Sequence, residues 1–117
     1  MTRALIVSTL LLTFAGCALV AEDAFASTVK HRFAQSAQKA AACFAHNARE
    51  HSSALVAEVR PPDDRGRVEV IVRVRNGVTY ATAEVRPAGQ RAEGTIELMV
   101  VSSRGRRELV RSLTEGC

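Results

Sequence analysis

The sequence predicts an α+β domain of two layers, an N-terminal amphipathic helix packed on a four-stranded antiparallel meander, closed by a short C-terminal helix. Three observations carry this expectation. An alanine-rich stretch repeats apolar residues every three or four positions, Val68, Val70, Val72 and Val74 alternate with mostly charged neighbours, and Asn76-Gly77 stands where two alternating runs would join. With 117 residues, 47% apolar and 4% aromatic, there is room for one small core, and seven Gly and three Pro are too few for a low-complexity chain.

The amino terminus is read first because it decides where the rest of the chain goes. Ala4 to Ala21 carries no charged residue and Arg3 precedes it, the pattern of a basic n-region and an apolar h-region. Ala24-Phe25-Ala26 then puts small residues where a type I signal peptidase needs them. The expected cut follows Ala26, leaving a signal peptide, 1–26, and a single small exported domain, 27–117. A second reading is open: Phe14-Ala15-Gly16-Cys17 resembles the lipobox of bacterial lipoproteins, which implies lipidation at Cys17 and a membrane-anchored product. A third keeps the apolar run as an uncleaved anchor, since its length is at the lower limit for a span. In all three the remaining chain leaves the cytoplasm, to be periplasmic or secreted, and membrane contact arises only through Cys17 or an uncleaved anchor.

From Ser27 onward, thirteen Arg and two Lys face ten Asp and Glu, a formal charge of +5. A core this small needs covalent support outside the cell interior. Two cysteines remain after processing, Cys43 and Cys117, and an oxidising compartment makes them the expected disulfide. A free buried thiol at Cys43 or an intermolecular bridge through Cys117 are the alternatives.

The helix is expected from Thr28 to about Glu50, with Val29, Phe33, Ser36, Ala40, Cys43, Phe44 and Asn47 on one stripe, Lys30, Gln38, Lys39 and Arg49 on the other, and Ser27 or Thr28 as cap. Leu55 to Arg60 then alternates as a first strand that stops at Pro61 and Pro62. Val68 to Val74 follows, its valines inward and Arg67, Glu69, Arg73 and Arg75 outward. A two-residue type I′ turn at Asn76-Gly77 returns the chain through Val78 to Arg86. That register pairs Val72 with Ala81, Val70 with Ala83 and Val68 with Val85, a groove for an alanine-lined helix, and sets Arg73 against Tyr80 and Glu69 against Glu84. Pro87 to Gly94 reads as a loop and Thr95 to Ser103 as the last strand. Gly105 breaks it, and Arg106 to about Glu115 forms the short helix on Leu109, Val110 and Leu113.

Little in the chain points to catalysis. His31, His46 and His51 lack the spacing of a metal site, and Cys43 with His46 is a nucleophile pair only if Cys43 is free. There is no Cys-x-x-Cys, Ser52 and Ser53 lack a glycine-flanked elbow, and Asp63 and Asp64 sit in a proline loop as turn residues. No enzyme, metal or cofactor is expected, nor nucleic acid as a partner, since one Tyr and no Trp give no stacking ladder. Two binding surfaces are candidates. Ile71, Val78, Tyr80, Met99 and Val101 form an outward apolar set suited to an envelope or secreted protein. Arg104, Arg106, Arg107 and Arg111 are an anion-binding set suited to anionic envelope polymers. A helix followed by strands with an Asn-Gly hairpin also resembles, in outline, cystatin-like and PepSY-type domains. The signature residues of neither family can be placed in this chain, and no role is carried over. The expectation is a non-catalytic interaction module of the bacterial envelope.

Overall fold

The computed structural model describes residues 28–99 and 102–117, so the expected cleavage site, Cys17 and Val101 lie outside the described residues. In chain order the elements are β1 (Thr28–Phe33), α1 (Ala37–His51), β2 (Leu55–Val59), β3 (Val68–Val74), β4 (Thr79–Ala88), β5 (Arg91–Leu98) and α2 (Ser103–Thr114). The strands form one antiparallel sheet in the order β1-β5-β4-β3-β2. The α+β class holds, but among the described residues the sheet has five strands rather than four, and the first element is a strand rather than a helix.

That opening strand is the chief correction. Val29 and Phe33 are four residues apart, a spacing that a helix face and an alternating strand share. His31 between them is also turned partly inward, while Thr28, Lys30 and Arg32 are exposed, so the period is two. The β-branched pair Thr28 and Val29 favours that conformation, whereas the alanine-rich stretch that favours helix starts only at Ala37. The helix N-cap is accordingly Ser36 and not Ser27 or Thr28. β1 crosses the molecule to pair with the last strand, Val29 facing Ile96, His31 facing Gly94 and Phe33 facing Ala92.

Behind the sheet, α1 buries Ala37, Ala40, Ala41, Phe44, Ala45 and Ala48 and packs mainly on β2, β3 and β4. The pairing of large with small residues is as the sequence predicts: Val68 faces Val85, Val70 faces Ala83 and Val72 faces Ala81, all fully buried. Alanines on the helix and on β4 let the two layers approach closely, and the valines fill the space at about 25 cal/mol per Å² of apolar surface removed from water. Leu109, Val110 and Leu113 of α2 join the same core.

The hairpin register holds away from its turn and fails at it. Gly77 N–H donates to Val74 O and Val74 N–H to Val78 O, each at 2.8 Å, and Gly77 alone in the turn has positive φ, 108°. The connection is therefore a three-residue loop with a glycine bulge, not the type I′ turn. Pairing slips by one residue between Val72 and Arg73, so Arg73 faces Thr79, not Tyr80, and Tyr80 packs against the core.

Two further corrections lie downstream. The segment expected as a loop, Pro87 to Gly94, completes β4, turns through Gly89 and Gln90, and begins β5, with Ala88 paired to Arg91. Gly89 takes φ 66° while Gln90 stays negative, the signature of a type II′ turn. Gly105 sits in the first turn of α2, where its N–H donates to Oγ of the N-cap Ser102 at 3.0 Å, so it does not end the strand.

Candidate interaction surface

Cys43 and Cys117 are joined by a disulfide, with Cα atoms 5.7 Å apart across a sequence separation of 74. It places the end of the chain beside the half-buried flank of α1. One turn further along that helix, Asn47 Nδ2 donates to Glu115 O at 2.8 Å and Leu113 O at 3.0 Å, carbonyls near the end of α2 that no longer find helical partners. Gln35 Nε2 donates to Gly116 O at 3.2 Å and Ala34 N–H to Cys117 O at 3.1 Å. Helix, tail and the β1–α1 junction are thus tied together, and Cys43, being bonded, forms no nucleophile pair with His46.

The polar groups weighed for chemistry occupy structural positions. Asp63 Oδ1 accepts from Arg65 N–H and Arg67 N–H, both at 2.9 Å, and Oδ2 accepts from Arg67 Nε at 2.8 Å. The backbone bond from Arg67 is the main reason its carboxyl is held below the usual aspartate range. Ser52 Oγ accepts from Ala54 N–H at 3.1 Å, and Ser53 O accepts from Arg75 Nε at 2.8 Å. His31 stands edge-on to Phe33, centroids 4.8 Å apart, and burial lowers its pKa. Among the described residues, no group of three His, Cys, Asp or Glu could hold a metal, and no helix is long and apolar enough to cross a membrane.

The expected apolar set divides. Val78 and Met99 are 70% and 54% exposed, but Tyr80 packs inward and Ile71 is half-buried between its register partners Glu58 and Thr82. The face of the sheet away from the helices is charged instead. Arg67 lies 3.7 Å from Glu84, the diagonal relief that the like-charged rung of Glu69 and Glu84 requires, while Arg73 lies 3.5 Å from Glu58 and Arg32 3.9 Å from its register partner Glu93. The arginine set divides too. Arg104, Arg107 and Arg111 share an exposed stripe of α2, with Glu108 3.4 Å from Arg104, whereas Arg106 is half-buried elsewhere on the helix.

The sequence allows an edge strand as a binding surface but does not show which strands form the edges; they are β1 and β2, and they differ. At the β2 edge, Arg49 Nη2 donates to Ala57 O at 2.9 Å and Leu55 N–H donates to Ser52 O at 3.1 Å, so α1 and its following turn cover part of the strand. At the β1 edge the alternation can be followed from one bond. Met99 N–H donates to Tyr80 O at 3.0 Å, so Met99, Glu97, Thr95 and Glu93 turn their backbone groups to β4. Ile96, Gly94 and Ala92 therefore pair with Val29, His31 and Phe33, and the N–H and C=O groups of Thr28, Lys30 and Arg32 point out of the sheet. A shallow cleft of about 440 Å³, lined in part by Arg32, Phe33, Ala88, Arg91 and Glu93, opens at the end of this edge. The signal for it lay in Lys30 and Arg32 alternating with Val29 and Phe33, once the segment is read as a strand.

Comparison with known proteins finds no matching family model, no matching curated protein and no matching solved structure.

Proposed function

We propose that this chain is the precursor of a small exported domain that performs no chemistry and binds another envelope or secreted protein through its sheet. The observation that carries the reading is the Cys43–Cys117 disulfide. It joins the two cysteines that remain when the signal peptide is removed after Ala26, and such a bond persists in an oxidising compartment. Lipidation at Cys17 gives the same domain with a membrane anchor. Binding falls to the sheet because the two helices lie together on one side of it, leaving the outer face and the β1 edge uncovered among the described residues.

The test places a photo-cross-linking residue in turn on the outer face and on each sheet edge, in the cell that exports the protein. A discrete product at one of these positions, lost when neighbouring charges are reversed, is the expected result. Absence of any product at all positions would overturn the binding reading. A second reading, attachment to anionic polymers, is favoured by the stripe of Arg104, Arg107 and Arg111.

A further inference from the structure

We infer that β1 is a docking edge for an extended acidic protein segment, which adds to the sheet as a sixth strand with carboxylates facing Lys30 and Arg32. The inference deepens the binding reading above by naming the surface and the chemistry of the partner.

Backbone comes first. Among the described residues, the N–H and C=O groups of Thr28, Lys30 and Arg32 meet no partner, while the next amide, Ala34 N–H, is already taken by Cys117 O at 3.1 Å. The open stretch is short and bounded by the disulfide-held tail. An unpaired row of this kind is a template for strand addition.

Side chains then select the occupant. A strand laid on β1 would have every second side chain on the outer face beside Thr28, Lys30 and Arg32, and the intervening ones beside Val29 and His31, both half-buried. The Arg32 side chain is 91% exposed and its contact with Glu93 is long, 3.9 Å, so it is available to a second carboxylate. Apolar and acidic residues in alternation therefore fit, and a basic segment does not. A second copy of the domain is also disfavoured, since two antiparallel β1 strands would set Lys30 and Arg32 against the same cations. The opposite edge is partly occupied, because Arg49 holds Ala57 O and Leu55 N–H is bonded to Ser52 O.

The experiment titrates the isotopically labelled, disulfide-bonded domain with a short synthetic peptide alternating Glu and Val, read by amide hydrogen exchange. The expected result is protection of the Thr28, Lys30 and Arg32 amides, and affinity about tenfold lower in the K30E/R32E variant. Changes confined to other amides, no binding, or equal affinity in the charge-reversed variant would each overturn the inference. Both substituted side chains are exposed, and retained signal dispersion verifies the variant's fold. Photo-cross-linkers at Arg32 and Glu69 separate docking at the β1 edge from binding elsewhere on the sheet. A product at Arg32 supports docking at the edge. A product at Glu69 alone overturns it while leaving the binding reading intact, and the absence of products at both positions and at the β2 edge overturns both.

Discussion

The ring of Phe33 occupies the space that a side chain at Gly94 would need: a methyl group built there overlaps Cε2 of the ring. Phe33 is buried on β1 opposite Ala92, and Gly94 lies two rungs along on β5, facing His31, so the contact fixes how the edge strand seats on the sheet. G94A is expected to destabilise the domain by about 2 kcal/mol through overpacking. F33L should recover part of that loss, and a double-mutant cycle by urea denaturation reads the coupling. Strict additivity would mean that the two residues do not share this space.

The tail depends on two independent ties. Replacing Cys43 and Cys117 together by Ser is expected to cost about 4 kcal/mol on the chain-entropy account of a loop this long. N47A should cost about 1 to 2 kcal/mol by removing its donors to Leu113 O and Glu115 O. Thermal unfolding of both variants, oxidised and reduced, checks the order: the Asn47 effect should persist with the disulfide intact.

Acid should weaken the fold in two stages with the same sign. His31 is held below its ordinary 6.5 by burial, so its neutral form is favoured in the folded chain. The stability it contributes is complete above that ordinary value and is lost as pH falls through the lower folded value. Asp63, held below its ordinary 3.8 chiefly by the Arg67 backbone bond, contributes stability above that value that is lost at still lower pH. Denaturation midpoints across pH should show the first step disappear in H31Q and the second in D63N.

The arginine stripe makes its own prediction. The disulfide-bonded domain should be retained on heparin and released by salt, with R104A/R107A/R111A eluting at clearly lower salt than R106A, because Arg106 lies off the stripe. Equal elution of the two variants would remove the polymer-binding reading.

What could be read from the sequence was whatever depends on a short-range period. Val68 to Val74 was recognisable because its valines alternate with charged residues, and α1 because its alanines recur with no Gly or Pro among them. β1 was hidden because Val29 and Phe33 satisfy both periods, and its partner β5 lies at the far end of the chain. Asn-Gly serves a type I′ turn and a bulged three-residue loop alike, and with the bulged loop Tyr80 lies half-buried against the core. Asn47 was visible on the helix stripe, but its acceptors, Leu113 O and Glu115 O, lie 66 and 68 residues further along the chain. The open edge likewise required knowing which residues of β5 are already paired to β4.

The intact mass and thiol content of the protein, isolated without reductant from the cell that makes it, test the disulfide and the processing together. A chain beginning at Ser27, or a lipid-modified chain beginning at Cys17, two hydrogens lighter than its reduced form and with no reactive thiol at Cys43 or Cys117, is the predicted result. A full-length chain in the cell interior with both thiols free would contradict it.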